Sequence, residues 1–125
     1  MMSQNESTVI SISDARKGAE KVIVSRYSLP KVALDRRGGR FVARAGRALI
    51  AAEYFDGALV GETCADGWRC LWDLRCAPER CEAELVAQVQ LACALLIAAK
   101  RLGCCPGALT AEEFPWGYRV FRLDS

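Results

Sequence analysis

Between residues 48 and 76 apolar and polar side chains alternate, and the alternation is broken twice by an Asp-Gly pair, Asp56-Gly57 and Asp66-Gly67. A period of two is the pattern of a half-buried strand, and Asp-Gly suits the two central residues of a type I′ hairpin turn. The segment therefore predicts a three-stranded antiparallel meander. With two-residue turns the register follows by counting: Tyr54 opposes Leu59, Ala52 opposes Gly61 and Ile50 opposes Thr63. Across the second turn Thr63 opposes Cys70, Gly61 opposes Trp72 and Leu59 opposes Leu74. These residues share one face, while Glu53, Glu62, Arg69, Asp73 and Arg75 share the other. Both turns thus assign the same inside and outside, and Gly61 leaves room for the Trp72 indole on the packed face.

After Ala77 the period changes. Pro78 suits a first helical turn, Glu79, Glu82 and Glu84 complement the positive end of a helix, and Gly103 after Lys100 and Arg101 is a stop signal. One long helix, 78–102, is predicted. Its second half, Leu91 to Ala99, is apolar on every side, which a helix lying on one sheet with its back in water does not tolerate. The N-terminal segment, the C-terminal tail or a second copy of the chain must cover it. The last case makes a homodimer an expectation, with Leu91, Leu95, Leu96 and Ile97 as its surface. This wholly apolar run is nine residues long, against about 20 for a membrane-spanning helix, so no membrane span is expected.

The flanks are less regular. Met1 to Thr8 reads as a polar tail ahead of a single domain, 9–125. Val9 to Ile12 suits a short strand, and Ser13 or Asp14 suits the cap of a helix running to about Ser25, although Val22-Ile23-Val24 is equally strand-like. Leu29-Pro30 breaks the chain, Gly38-Gly39 makes a turn, and Phe41 to Ala45 supplies a further strand. Beyond Gly103, Cys104 to Gly107 is a loop, Thr110-Ala-Glu-Glu113 has the spacing of a capped helical turn, and Tyr118 to Leu123 is a final edge strand. The fold class is α+β: an antiparallel meander of three to five strands packed on one long helix, with an N-terminal strand or helix. A helix, a meander and a second helix also give the element order of the double-stranded RNA-binding domain. There the second helix begins with a lysine cluster; here it begins Pro78-Glu-Arg-Cys-Glu-Ala-Glu84, which is acidic, so order alone carries no functional implication.

Charge changes the picture more than composition does. The net charge of +2 conceals ten basic against four acidic residues in 1–47, and seven against eleven in the remainder. Arg36, Arg37, Arg40, Arg44 and Arg47 form the densest basic segment. Planar guanidinium groups around a Gly-Gly turn suit successive phosphates, with Tyr27 and Phe41 available to stack. The plainer reading is a strand edge kept soluble by charge.

Chemistry is sparse. The chain has no histidine, which removes Ser-His and Cys-His pairs and the usual base near neutral pH. It has neither a phosphate-binding loop nor a dinucleotide fingerprint. Cys64, Cys70, Cys76 and Cys81 lack the spacing of a zinc knuckle, and the register puts Cys64 and Cys70 on opposite faces; Cys70, Cys76, Cys81 and Cys93 read instead as small buried hydrophobes. Cys104 and Cys105 remain as thiols for a redox role. No catalytic residue, metal or cofactor is expected. The absence of a secretory leader pattern leads to a cytoplasmic expectation. The leading expectation is a small non-catalytic protein that works by protein–protein contact as an inhibitor, adaptor or regulator. By analogy this class includes phage proteins that block CRISPR complexes. The alternatives are a nucleic-acid-binding module using Arg36 to Arg47 and a thiol-redox or metal-binding protein.

Overall fold

The structure, a computed structural model, describes residues 21–123. In chain order the elements are β1 (Lys21–Ser25), β2 (Ala33–Arg37), β3 (Arg40–Ala45), β4 (Ala48–Phe55), β5 (Ala58–Ala65), β6 (Trp68–Arg75), helix α1 (Cys81–Leu102), β7 (Leu109–Phe114) and β8 (Gly117–Arg122). The chain reverses at both Asp-Gly pairs as their chemistry requires. Asp56 and Asp66 have φ of 55° and 50°, and Gly57 and Gly67 have φ of 77° and 83°, the two consecutive left-handed residues of a type I′ turn. The register of β4, β5 and β6 is the predicted one, including Tyr54 with Leu59, Gly61 with Trp72 and Thr63 with Cys70.

Two further two-residue connections, Gly38-Gly39 and Gly46-Arg47, extend the meander backwards, giving a five-stranded antiparallel sheet in the order β2-β3-β4-β5-β6. Phe41, Ala43, Ile50 and Leu59 are buried on one face with Cys81, Leu85, Val89 and Cys93 of α1. The second sheet, in the order β1-β8-β7, is also antiparallel. It buries Val22, Val24, Leu109, Tyr118 and Val120 against Ala94, Leu95, Ala98 and Ala99 of the same helix. The fold is α+β, with one helix between two sheets.

The cover demanded by the apolar half of α1 thus comes from within the chain, from a strand before the meander and a hairpin after the helix. Leu95 is buried under this second sheet, Leu91 and Ile97 are half-buried against it, and Leu96 packs toward the five-stranded sheet. Pro78–Leu102 is long and apolar enough to cross a membrane by length and composition; here it packs against both sheets.

Three expectations for the flanks are corrected. Residues 21–25 are strand rather than the end of a helix, because Val22 and Val24 face α1 while Lys21, Ile23 and Ser25 face outward, a period of two. Thr110–Glu113 is strand, not a capped turn. Pairing with β8 prevails, and Glu112 is drawn across to Arg119 at 2.7 Å instead of back to a helix end. The last strand, β8, lies at the centre of its sheet, since β1 pairs with its other side. The helix proper begins at Cys81, after a single 3-10 turn at Pro78–Arg80, and ends at Gly103 (φ 68°) as predicted. The strand at Val9 to Ile12, the cap at Ser13 or Asp14 and the tail Met1 to Thr8 lie outside the described residues.

One side chain ties the second sheet together. Arg26, at the end of β1, donates to the carbonyls of Pro115 (3.1 Å) and Phe114 (2.8 Å), to Gln90 Oε1 on α1 (3.2 Å), to Tyr118 Oη (3.3 Å) and to Glu113 Oε2 (3.0 Å). Its guanidinium also lies over the Tyr118 ring, 5.0 Å from the centroid. These bonds use the full planar fork of an arginine. Close beside it Gly117, at φ 151°, lets the β7–β8 hairpin approach β1: a Cβ there would sit 2.1 Å from the Val24 carbonyl oxygen.

Gly61 carries the sharpest packing prediction. A Cβ at this position would lie 2.4 Å from Cζ2 of Trp72, whose indole N–H donates to Thr63 Oγ1 at 2.9 Å. Gly61→Ala is therefore expected to cost about 1–3 kcal/mol through overpacking, read as a lower urea midpoint. In a chain already carrying Trp72→Ala the same substitution should cost much less; equal costs in the two backgrounds would contradict the packing.

Candidate functional site

Strand parity decides where each candidate side chain goes. Phe41 is buried against α1, so its cross-strand partner Arg36 lies on the helix side of the sheet, while Arg37, Arg40 and Arg44 lie on the outer side. Arg36 reaches Glu82 of α1 at 3.5 Å and lies 5.0 Å over the Phe41 ring. Arg47 sits in the β3–β4 turn and bonds both oxygens of Asp66 at 3.2 Å. The five arginines therefore divide among three places. Only Arg37, Arg40 and Arg44 share a surface, where Arg37 meets Asp35 and Arg40 meets Glu53, each at 3.8 Å. Among the described residues Arg44 has no ion-pair partner.

That surface is the outer face of the five-stranded sheet, and no other element among the described residues covers it. Its charges run from Arg37, Arg40 and Arg44 on β2 and β3, through Glu53 and Glu62, to Asp73, Arg69 and Arg75 on β6. Arg69 is held by Glu62. Between the charges lies an apolar band that crosses the strands. Val42 opposes Ala51 and Leu49 opposes Cys64, with Val60 and Leu71 continuing the band. Val42 is 38% exposed, Leu49 37%, Val60 50%, Leu71 77% and, at the end of β4, Phe55 73%. The alternation that buries one face so regularly thus leaves large apolar side chains in water on the other. The reading of the sequence gave weight to the charges of this face and passed over these apolar positions. Counting outward from Gly38-Gly39 and Gly46-Arg47 as two-residue turns would have found them, and would have separated Arg36 from Arg37.

A cleft of about 860 Å³ opens at the C-terminal end of α1. Trp68, Leu96 and Ile97 wall it, Arg47, Asp66 and Lys100 stand at its rim, and Cys104 and Cys105 border it. It brings together one residue of the arginine segment, two of the apolar helix and the vicinal thiols. Arg47 and Asp66 neutralise one another there.

The cysteines are free thiols. Cys93 is buried, donates to the Ala45 carbonyl at 3.2 Å, and is pushed up to about 11 by burial. Cys81 is also raised, by burial and then by the neighbouring Cys76. Cys64 and Cys70 stand on opposite faces as predicted, and among the described residues no group of three His, Cys, Asp or Glu side chains is placed to hold a metal ion. Glu112 and Glu113, adjacent in sequence, point to opposite faces of β7 and pair separately with Arg119 and Arg26. They do not form a carboxylate couple. Comparison with protein-family models, with curated proteins and with solved structures finds no match to this chain.

The burial of Cys93 has a pH consequence of defined sign. The folded thiol titrates at about 11 and the unfolded one near the ordinary thiol value. Between the two the unfolded chain has released a proton that the folded chain keeps, so stability is complete below that window and falls as pH rises through it. The urea midpoint should be flat up to about pH 8 and drop by about pH 10.5. In Cys93→Ala the drop should be smaller; an unchanged drop would mean that Cys93 is not its source. In native protein a maleimide should label exposed Cys105 first and buried Cys81 and Cys93 last.

Proposed function

We propose that this chain is a non-catalytic binding protein that works by protein–protein contact through the outer face of its five-stranded sheet. The observation that carries the reading is the band of exposed apolar side chains, Val42, Leu49, Val60 and Leu71, set among charges of both signs on a face that no element among the described residues covers. Apolar groups rimmed by polar ones mark contact surfaces, because the centre of a patch gains from leaving water while the rim sets orientation.

The same face bears on the choice of partner class. Glu53, Glu62 and Asp73 stand among the arginines, and a phosphate backbone laid across Arg37, Arg40 and Arg44 would meet those carboxylates. A protein surface with its own mixture of signs suits the pattern better than a polyanion, whose binding rests on uncompensated positive charge. Inhibitor, adaptor and regulator remain equivalent at this level, since each needs only a recognition face.

Comparative affinity capture from the native cell lysate tests the reading, run after nuclease treatment with the wild type, with Leu49→Glu/Val60→Glu, and with Tyr27→Ala. Tyr27 is 99% exposed and lies beside the other sheet. The wild type and Tyr27→Ala should retain a common protein that the double variant loses by about tenfold or more, as expected when central apolar contacts are replaced by buried charge. Retention that is equal in all three chains, or that disappears with nuclease, would overturn the reading.

A further inference from the structure

The sheet that carries this face ends in an unusually open edge. Among the described residues β6 pairs with β5 on one side only. It is eight residues long, against five for β1 and β2 and six for β7, the other strands with a free side. The two-residue turn at Asp66-Gly67 makes Ala65 and Trp68 a hydrogen-bonded pair, so Trp68, Cys70, Trp72 and Leu74 direct their backbone groups at β5. Arg69, Leu71, Asp73 and Arg75 direct theirs away from the sheet. The bond from Cys76 N–H to the Gly57 carbonyl at 3.2 Å continues the same alternation. Such a row of N–H and C=O groups is a template for another strand.

Side chains on β6 select the strand that fits. We propose that a second copy of this chain pairs antiparallel along the β6 edge, with Leu71 opposite the partner's Leu71, joining the two five-stranded sheets into one continuous sheet. In this register Arg69 opposes the partner's Asp73 and Asp73 opposes the partner's Arg69, giving two opposite-charge pairs around a Leu–Leu contact. Leu71, the most exposed large apolar side chain of the sheet's strands at 77%, is covered. On the helix side half-buried Trp72 meets the partner's Cys70, and half-buried Trp68 meets the partner's Leu74, each at the closer cross-strand spacing.

Neighbouring registers lack this match. A slip of two residues one way sets Arg69 against the partner's Arg75 and Leu71 against the partner's Asp73. The same slip the other way sets Arg69 against the partner's Leu71 and Asp73 against the partner's Gly67. Asp73, which has no ion-pair partner among the described residues of its own chain, gains one only in the first register. Charges on an edge strand ordinarily discourage pairing; here their signs favour pairing with the strand's own copy. The two-fold axis stands perpendicular to the sheet, so both helices lie on one side and both outer faces on the other.

Sedimentation equilibrium of the full chain under reducing conditions tests the pairing. The wild type is expected to be a dimer. Asp73→Arg and Arg69→Asp are each expected to weaken dimerisation by about tenfold, because two attractive cross-strand pairs become repulsive. An equimolar mixture of these two variants should recover wild-type affinity, since each chain then supplies the charge the other lacks at both positions. Leu71→Pro removes an edge N–H that no partner among the described residues uses and should give a folded monomer by circular dichroism. A monomeric wild type would overturn the proposal, as would charge variants that dimerise normally or a mixture that fails to recover. Leu49→Glu/Val60→Glu should leave the dimer intact, which keeps this result separate from loss of the proposed protein partner.

Discussion

The apolar circumference of α1 is the constraint on which the rest of the structure depends. A helix that is apolar on one stripe needs one sheet; α1 buries Leu85 and Val89 on one side and Ala94, Leu95 and Ala98 on the other. Each fully buried Leu or Val contributes about 1.5–3 kcal/mol, so neither side can be left in water. The five-stranded sheet satisfies the first and the β1-β8-β7 sheet the second. Small residues make the double contact feasible: Ala92, Cys93, Ala94, Ala98 and Ala99 let both sheets come close to the helix backbone. Cys81 and Cys93 belong to this packing role, and the Cys93 thiol donates its proton to the Ala45 carbonyl.

With the helix enclosed, each sheet has spent its inner face. The Arg26 clamp holds β1, α1 and the β7–β8 hairpin in one arrangement, so the second sheet is fixed through polar contacts as well as apolar ones. The outer face of the larger sheet receives no cover from the described residues. Its Val42, Leu49, Val60 and Leu71 make no contribution to the core, and a surface of charges alone would protect that face better from association. Their presence sets the fold and the proposed contact function on opposite sides of the same five strands.

Much of this was legible where local chemistry dominates. Asp56-Gly57 and Asp66-Gly67 dictate both turn type and parity, so the pairing of β4, β5 and β6 could be written by counting. Pro78, Lys100, Arg101 and Gly103 bound the helix to within a turn, and the apolar run from Leu91 announced a missing cover. The identity of that cover was not legible, because β1 pairs with β8 across almost the whole described chain and pairing at such separation leaves no local signature. For the same reason Thr110 to Glu113 read as a capping box: the partner that makes it a strand is β8, and the ion pairs that use its carboxylates come from Arg26 and Arg119. The arginine segment looked like one feature because its residues are close in sequence. Strand parity separates Arg36 from Arg37, and the turn separates Arg47 from both.

Hydroxyl-radical footprinting of the chain in buffer and in its native cell lysate tests most directly whether the uncovered face is the working one. Phe55, Val60 and Leu49 should be oxidised in buffer and protected in the lysate, while Tyr27 and Leu123, exposed beside the smaller sheet, react equally in both. Protection confined to Tyr27 and Leu123, or no protection anywhere, would contradict the account.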